Sequence, residues 1–286
     1  MGTPNMPNWL RIFLLILGCA SFIPQLHRFW IRRDTSGISL YYVLANLLVA
    51  TEIFTISFFL VINQRVEGSD FFVHHPPDAG DAINLVHFAF IWFLWLAIFV
   101  FCLVYPSDQT SPRSKSAVTI FVSFLLISIV PLIADATVND IRERDRRLLL
   151  AIFGYIHASF INLVITIFGI MGMYIQIREV YKQPPGSGLG ALSLQGLAIQ
   201  SVVFALLGIS WIWRLVFPWE HLDWPEELSL AQLWALAMAW FQYAGFPTVD
   251  YLVFALGQAF ILFLALRRRV TNVSPNETEP LLGSDA

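Results

Sequence analysis

The chain has 286 residues, of which 57% are hydrophobic, 15% aromatic and only 13% charged. Soluble domains carry about 25% charged residues, so this composition excludes an ordinary globular enzyme. The content of 25 Phe and 10 Trp excludes a disordered chain, and the net charge of −3 gives no reason to expect a nucleic-acid partner.

Apolar runs divided by polar, Pro- or Gly-bearing stretches predict an all-α membrane protein with seven transmembrane helices, at about 20 residues per crossing. A cleaved signal peptide is the alternative for the first run. Segment 228–244, apolar and rich in Trp, has three alternatives: an eighth span, an interfacial helix or an early start of the last span. The predicted spans cover 9–30, 38–62, 82–104, 116–136, 148–177, 189–217 and 249–266.

The distribution of Lys and Arg predicts the topology. With seven spans, ten of these residues fall on one side and seven on the other, and the richer side is usually cytosolic. We therefore expect a lumenal N-terminus and a cytosolic C-terminus. An eighth span would place the arginine cluster 267–269 outside, which favours an interfacial helix for 228–244. The basic run 142–147, on the lumenal side, is an exception to the pattern.

The chain contains two similar segments about half its length apart, and each surrounds a glutamine. The glutamines are Gln25 and Gln176. The second copy is degenerate, with Ile175 where the first has a proline. The elements of the first copy are, in order, Pro24, Gln25, Gly37, Ser39 and Asn46. These residues and spacings resemble the PQ-loop repeat family of membrane proteins, which includes cystinosin, the vacuolar and lysosomal cationic amino-acid exporters and, more distantly, the SWEETs and the KDEL receptor.

The resemblance implies two parallel three-helix bundles joined by a linker helix, as in the SWEETs. The expected units are a first repeat (1–107), a linker helix and loop (108–147), a second repeat (148–269) and a disordered cytosolic tail (270–286). A proline removes a backbone hydrogen bond and lets a helix bend. The expected hinge residues are Pro24, Gln25, Gly37 and Gln176.

Glu52 is an ionisable residue inside the second span, where such groups cost about 2.5–3.5 kcal/mol or more and therefore mark functional sites. We expect a solute or proton site formed by Asn46, Glu52, His157 and Gln200. In PQ-loop exporters an acid seven residues after the second loop serine couples transport to protons. That position is Gln200, which cannot ionise, so Glu52 is the substitute candidate, followed by His157 and His87. The alternative is that Glu52 is a protonated helix-packing residue.

Further predictions concern the packing of the fifth span, the position of Arg214, metals, cofactors and catalysis. Gly154, Gly169 and Gly172 let the fifth span approach its neighbours closely. Arg214 is expected to extend to the membrane interface. The pair at 74–75 lacks a third ligand at a useful spacing, and the chain has only two cysteines, so we expect no metal and no cofactor. The sequence also lacks a nucleophile elbow, a paired-acid pattern or a His box, so we expect no enzyme.

The polar tail ends in a pattern that looks like an acidic dileucine sorting signal, formed by Glu277, Leu281 and Leu282. Such a signal acts in the cytosol through a sorting adaptor and addresses proteins to lysosomes or vacuoles. The same tail carries two glycosylation sequons, at Asn272 and Asn276, which a cytosolic tail would leave unmodified.

The expected function is that of a secondary transporter for a small polar solute, with amino acids the first candidates and protons as a second partner, in a vacuolar or lysosomal membrane. The alternative is a non-transporting cargo receptor or trafficking protein of the KDEL-receptor type.

Overall fold

The computed structural model describes residues 6–64, 71–105, 112–137, 143–182, 192–217 and 229–271, and the tail signal at 277–282 lies outside them. The described part is helical, and seven helices are long and apolar enough to cross a membrane, as predicted. We number them spans 1 to 7: Asn8–Arg32, Leu40–Asn63, Ala79–Val104, Ser114–Thr137, Arg144–Lys182, Leu194–Arg214 and Leu230–Arg267.

Span 1 consists of two helices, α1 (Asn8–Ala20) and α2 (Ile23–Arg32). Pro24 explains the break, because a proline ring collides with the carbonyl four residues earlier and lacks an N–H to bond it. That carbonyl belongs to Ala20, the last residue of α1. The break therefore lies beside Pro24, and the hinge role expected for this residue stays a prediction.

The remaining spans contain α3 to α10, and three of them include a π-helical turn. The helices are α3 (Leu40–Phe58), α4 (Ala79–Val104), α5 (Pro112–Thr137), α6 (Glu143–Ile156), α7 (Asn162–Lys182), α8 (Leu194–Arg214), α9 (Leu230–Trp240) and α10 (Phe246–Thr271). The π-helical turns are Phe59–Asn63 in span 2, His157–Ile161 in span 5 and Phe241–Gly245 in span 7.

The structure corrects the interpretation of 228–244 as a separate interfacial helix. Residues from Leu230 onward form α9, which continues through a π-helical turn into α10 as one span. At 1.5 Å per residue, the 38 residues of span 7 extend about 57 Å, well beyond a hydrocarbon layer of about 30 Å. The segment is therefore the early start of the last span, and Asp250 lies near the middle of that span.

Contacts between the helices divide into two similar sets. In the first half, α4 packs against both α1 and α3. In the second half, α10 packs against both α7 and α8. The halves meet where α3 contacts α7 and where α1 and α2 contact α8, while α5 packs against α3.

Glycines let span 5 lie close to span 2, as the sequence predicts. A Cβ atom on Gly172 would stand 2.6 Å from the Cβ of Ala45, and one on Gly169 would stand 3.2 Å from Val49. Farther along the same interface, a Cβ on Gly154 would stand 3.0 Å from the Phe59 ring. Close contact of this kind stabilises helix pairs in lipid by van der Waals packing.

The basic run 142–147 is partly neutralised where spans 2, 4 and 5 meet. Arg146 donates to both carboxylate oxygens of Asp135, at 2.6 and 2.7 Å, and to the carbonyl of Asn63 at 3.0 Å. The Asn63 amide in turn donates to Asp135 at 2.8 Å. A bidentate pair of this kind fixes the orientation of the three helix ends.

The loop before span 3 closes over the same side of the protein. Phe72 exchanges backbone hydrogen bonds with Val216 after α8, at 2.7 and 3.3 Å. Its side chain is fully buried, stacked on Phe246 of α10 with ring centroids 5.5 Å apart. Phe72 adopts a φ of 66°, a conformation that costs energy for a bulky residue and that its packing must stabilise. This segment connects the first half to the second.

Gly172→Ala is expected to destabilise the protein by about 1–3 kcal/mol, because the added methyl group overlaps Ala45 across the span 2–span 5 interface. The second change Ala45→Gly removes the overlapping atom, so it should recover part of the loss. The measurement is the unfolding midpoint of the three variants in detergent. Two results would contradict the close contact. One is a Gly172→Ala protein as stable as the parent, and the other is a double variant that is less stable than the sum of the two single changes predicts.

Candidate functional site

Glu52 and His157 form a buried pair between spans 2 and 5. The His157 Nδ1 atom lies 2.9 Å from Glu52 Oε1 and 3.0 Å from Oε2. Glu52 is 1% exposed and His157 is 3% exposed. A buried charge requires a partner of opposite charge or a good hydrogen bond, since water cannot solvate it. The two residues that the sequence proposed together are therefore in direct contact.

Asp250 is a second buried acid, which the sequence analysis missed. It lies on α10, and the hydroxyl of Thr166 on α7 donates to its Oδ1 at 2.7 Å. Asp250 shares a cavity lining with Ile53, the residue that follows Glu52 on span 2. Its position inside an apolar run could have identified it, but the predicted span began at residue 249 and placed it at the membrane edge.

A narrow cavity, the midplane cavity, lies between the two halves. Its polar lining comes from Asn46, Thr166 and Asp250, and Trp95 and Phe254 form part of its apolar wall. The open space is about 20 Å³, on the scale of one water molecule. Asn46 therefore shares a cavity with Asp250, and its amide also donates to the carbonyl of Tyr42 at 2.8 Å.

Gln200 lies in a different place from the one the sequence proposed. It lines a second narrow cavity with Gln25 and Gln258, which we call the glutamine cavity. The amide of Gln258 there donates to the Tyr42 hydroxyl at 2.5 Å. Trp95 lines both cavities, so its indole lies between them. The structure thus divides the four proposed residues between two cavities and the Glu52–His157 pair.

The two repeat glutamines bond reciprocally across the halves. Gln25 Oε1 accepts a hydrogen bond from the backbone N–H of Ser193 at 3.0 Å. Gln176 Oε1 accepts one from the backbone N–H of Ser39 at 2.8 Å. Ser39 and Ser193 are the N-cap residues of α3 and α8, the second span of each half. Each glutamine therefore joins its own half to the start of a helix in the other half.

These bonds resemble a capping box completed by another part of the chain. In a capping box, the third helical residue returns a side chain to the N-cap N–H. In α8 that residue is Gly196, which has no side chain; its N–H donates to Ser193 Oγ at 3.1 Å, and Gln25 supplies the missing acceptor. At the other site, Gln176 Nε2 also donates to the carbonyl of Gly37 at 2.8 Å. Gly37 has a φ of 81°, which favours glycine.

Arg214 forms a second polar cluster, contrary to the prediction that it extends to the interface. It is 1% exposed, its Nε donates to Asn84 Oδ1 at 3.0 Å, and its guanidinium lies 3.3 Å from His87 Nδ1. The Trp211 ring lies beneath the guanidinium, 3.6 Å from its carbon. Helix packing buries this side chain among spans 3 and 6, since α8 turns that face toward the protein rather than toward lipid.

His74 lies beside two acids at the start of α4, so the third side chain that the sequence did not find is present. Asp81 Oδ2 accepts from the backbone N–H of His74 and of Asp78, each at 3.0 Å. Asp78 Oδ1 accepts from the Asp81 N–H at 2.8 Å; although partial burial opposes it, this bond helps to hold the pKa of Asp78 below its ordinary value. Since a helix N-terminus repels cations, we interpret this cluster as a helix cap.

Residues 6–64 match the family model of the PQ loop repeat. This segment contains α1, α2 and α3, with Gln25, Gly37 and Ser39 of the reciprocal bonds. Neither a curated protein nor a solved structure matches the chain. The chain therefore carries a PQ-loop repeat in an all-helical protein with seven membrane-spanning candidates, as the resemblance predicts.

His157→Ala is expected to destabilise the protein by roughly 3–5 kcal/mol, because it leaves the Glu52 carboxylate buried without its partner. In a Glu52→Gln background the same change should cost clearly less, since no charge remains to be paired. The measurement is the free energy of unfolding of the four members of this cycle at pH 7.5. Equal effects of His157→Ala in both backgrounds would contradict an energetic link between the two side chains.

Proposed function

We propose that the chain is a secondary transporter that moves a small polar solute, with amino acids the first class to test, by exposing a midplane site to each side of the membrane in turn. The observation that carries the proposal is the pair of buried acids, Glu52 and Asp250, at the middle of spans 2 and 7. Ionisable groups at this depth are costly and characterise solute and ion pathways. Asp250 lines the midplane cavity between the two halves, and Glu52 directly precedes Ile53, which lines the same cavity.

The arrangement we propose is two parallel three-helix bundles, formed by spans 1 to 3 and 5 to 7, with span 4 as the linker. The matching contacts support it, since the third span of each half packs against the other two. The reciprocal bonds of Gln25 and Gln176 support it too, because each relates equivalent positions in the two halves. Transporters built from such repeats bind their solutes at the repeat interface.

We propose that two sets of contacts control access to the midplane cavity, one on each side of the membrane. On the side of the glutamines, opening requires that the bonds to Ser39 and Ser193 break. On the opposite side, opening requires that Phe72 leave its position against Phe246. We propose that these two sets of contacts open alternately while the halves rock around the site.

We propose that protons are the coupling ion, bound by the Glu52–His157 pair and by Asp250. Each acid has a hydrogen-bond partner on span 5, namely His157 and Thr166. A proton on Glu52 weakens its charge interaction with His157 and also with Asp250. Uptake of one proton therefore changes the contacts of spans 2 and 7 with span 5 together, which links protonation to helix movement.

We propose a vacuolar or lysosomal membrane, with the N-terminus in the lumen and the C-terminus in the cytosol. The excess of Lys and Arg on one side supports the orientation. The acidic dileucine pattern at Glu277, Leu281 and Leu282 supports the location, with a sorting adaptor as the partner of the tail. Under this orientation, the glutamine bonds lie on the cytosolic side and Phe72 lies on the lumenal side.

Flux of radiolabelled amino acids into proteoliposomes, with an inside-alkaline pH gradient, tests the proposal. The parent protein should transport at least one member of the panel, and Glu52→Gln should lose the dependence on the gradient, since an amide cannot bind the coupling proton. The matched control is Asp145→Asn on α6, which also replaces an acid by its amide but at an exposed side chain. Absence of flux for amino acids, sugars and other small solutes alike would favour a cargo receptor.

The topology predicts that Asn272 and Asn276 carry no glycan in cells, although both lie in sequons. The measurement is the mobility of the full chain before and after treatment with an endoglycosidase. A sequon engineered into the lumenal loop at 65–70 serves as the positive control for access to the glycosylation machinery. A glycan at either tail asparagine would overturn both the orientation and the sorting signal.

A further inference from the structure

A larger cavity, which we call the side cavity, lies next to the Glu52–His157 pair and has a volume of about 230 Å³. His157 is part of its lining, and Glu52 contacts the Nδ1 atom of that histidine from outside the lining. The other polar lining residues are Gln64 and Gln242. The apolar lining includes Ile56, Phe59, Leu60, Phe71, Phe153 and Tyr243.

Three π-helical turns of the described chain meet at this cavity. Phe59 and Leu60 belong to the turn in span 2, His157 and Ala158 to the turn in span 5, and Gln242 and Tyr243 to the turn in span 7. Such turns are rare, disturb the regular backbone and occur frequently at functional sites. Because π-helical turns from three different spans line the same cavity, we interpret the cavity as a functional feature of the fold.

The polar atoms at the cavity favour a ligand group that donates hydrogen bonds. The Oε1 atom of Gln64 is buried and has no hydrogen-bond partner among the described residues. The Nδ1 atom of His157 faces the Glu52 carboxylate and carries the proton in the neutral tautomer, which leaves Nε2 as an acceptor. Two acceptors near a carboxylate suit a protonated amine, which carries three donors and a positive charge.

The apolar lining indicates the shape and size of the remaining part of the ligand. Phe153 stacks on the His157 ring with centroids 4.1 Å apart, and Phe59 lies 5.5 Å from Phe153. These rings form a wall suited to another flat or branched apolar group. The volume is below the 300–1,000 Å³ that is usual for pockets that hold drug-sized ligands, so the body of the molecule is small.

We propose that the side cavity binds a small primary amine with an apolar body of a single ring or a branched chain, the ammonium group facing Gln64 and the Glu52–His157 pair. This inference rests on the proposed transport function, because it names a class of solute for it. The binding step, however, is measured without transport.

Binding of 2-phenylethylamine to the purified protein in detergent, followed by calorimetry, tests the inference. The comparison ligand is 2-phenylethanol, which has the same apolar body without the positive charge. Because it also partitions into micelles, it controls for uptake by the detergent. Ala158→Phe fills the cavity and should weaken amine binding about tenfold or more, a loss of about 1.4 kcal/mol. The same exchange at the exposed Ala237 of α9 is the control and should leave binding unchanged.

Gln64→Glu should change the affinity for the amine in the opposite direction from Ala158→Phe. A carboxylate in place of the amide should strengthen binding of the amine roughly tenfold and leave the alcohol unaffected, since bonds between charged groups exceed neutral ones. Equal affinity for amine and alcohol, or equal effects of Ala158→Phe and Ala237→Phe, would overturn the inference. Flux of other solutes would then still support transport, whereas amine binding without flux of any solute would support the cavity and refute transport.

Discussion

Every ionisable side chain inside the membrane must find its partner within the protein, because the hydrocarbon layer offers no water. Span 5 supplies the described hydrogen-bond partner of both midplane acids. His157 contacts Glu52 of span 2, and Thr166 contacts Asp250 of span 7. Since spans 2 and 7 belong to different halves, span 5 contacts one buried acid of each half. The packing of Gly172 against Ala45 keeps span 5 close to span 2, where His157 contacts Glu52.

Helix starts impose a similar requirement on backbone groups. The first N–H groups of a helix have no partner inside it, and buried ones need an acceptor from elsewhere. Here the acceptors for Ser39 and Ser193 are glutamine side chains from the opposite half. The repeat glutamines thus connect the two halves, in addition to any hinge role at Pro24. Gln25 also lines the glutamine cavity, so the residue that caps α8 borders an internal space of the protein.

The sequence predicts the features that depend on composition along a helix, and it fails for those that depend on which face of the helix packs. Apolar length located seven spans, and Glu52 was identified because it is the acid farthest from the ends of a predicted span. The spacing rule identified Gln200, but spacing along α8 does not determine which cavity that residue lines. Arg214 near a helix end is compatible with lipid or with protein, and only the contacts with Asn84 and Trp211 decide. Asp250 was missed because the extended start of span 7 was interpreted as a separate segment.

The two halves deviate from regular helix at different distances from their glutamines. In span 1 the break between Ala20 and Ile23 lies about one turn before Gln25. In span 5, where Ile175 replaces the proline, α7 runs unbroken past Gln176, and the irregular turn His157–Ile161 lies about four turns earlier. A bend in span 1 therefore moves Gln25 and its bond to Ser193 directly. A bend in span 5 instead occurs at His157 itself, so the contact with Glu52 and the shape of the side cavity change with it. The second half, which has no proline at its glutamine, therefore has its helix irregularity beside the partner of the acid instead.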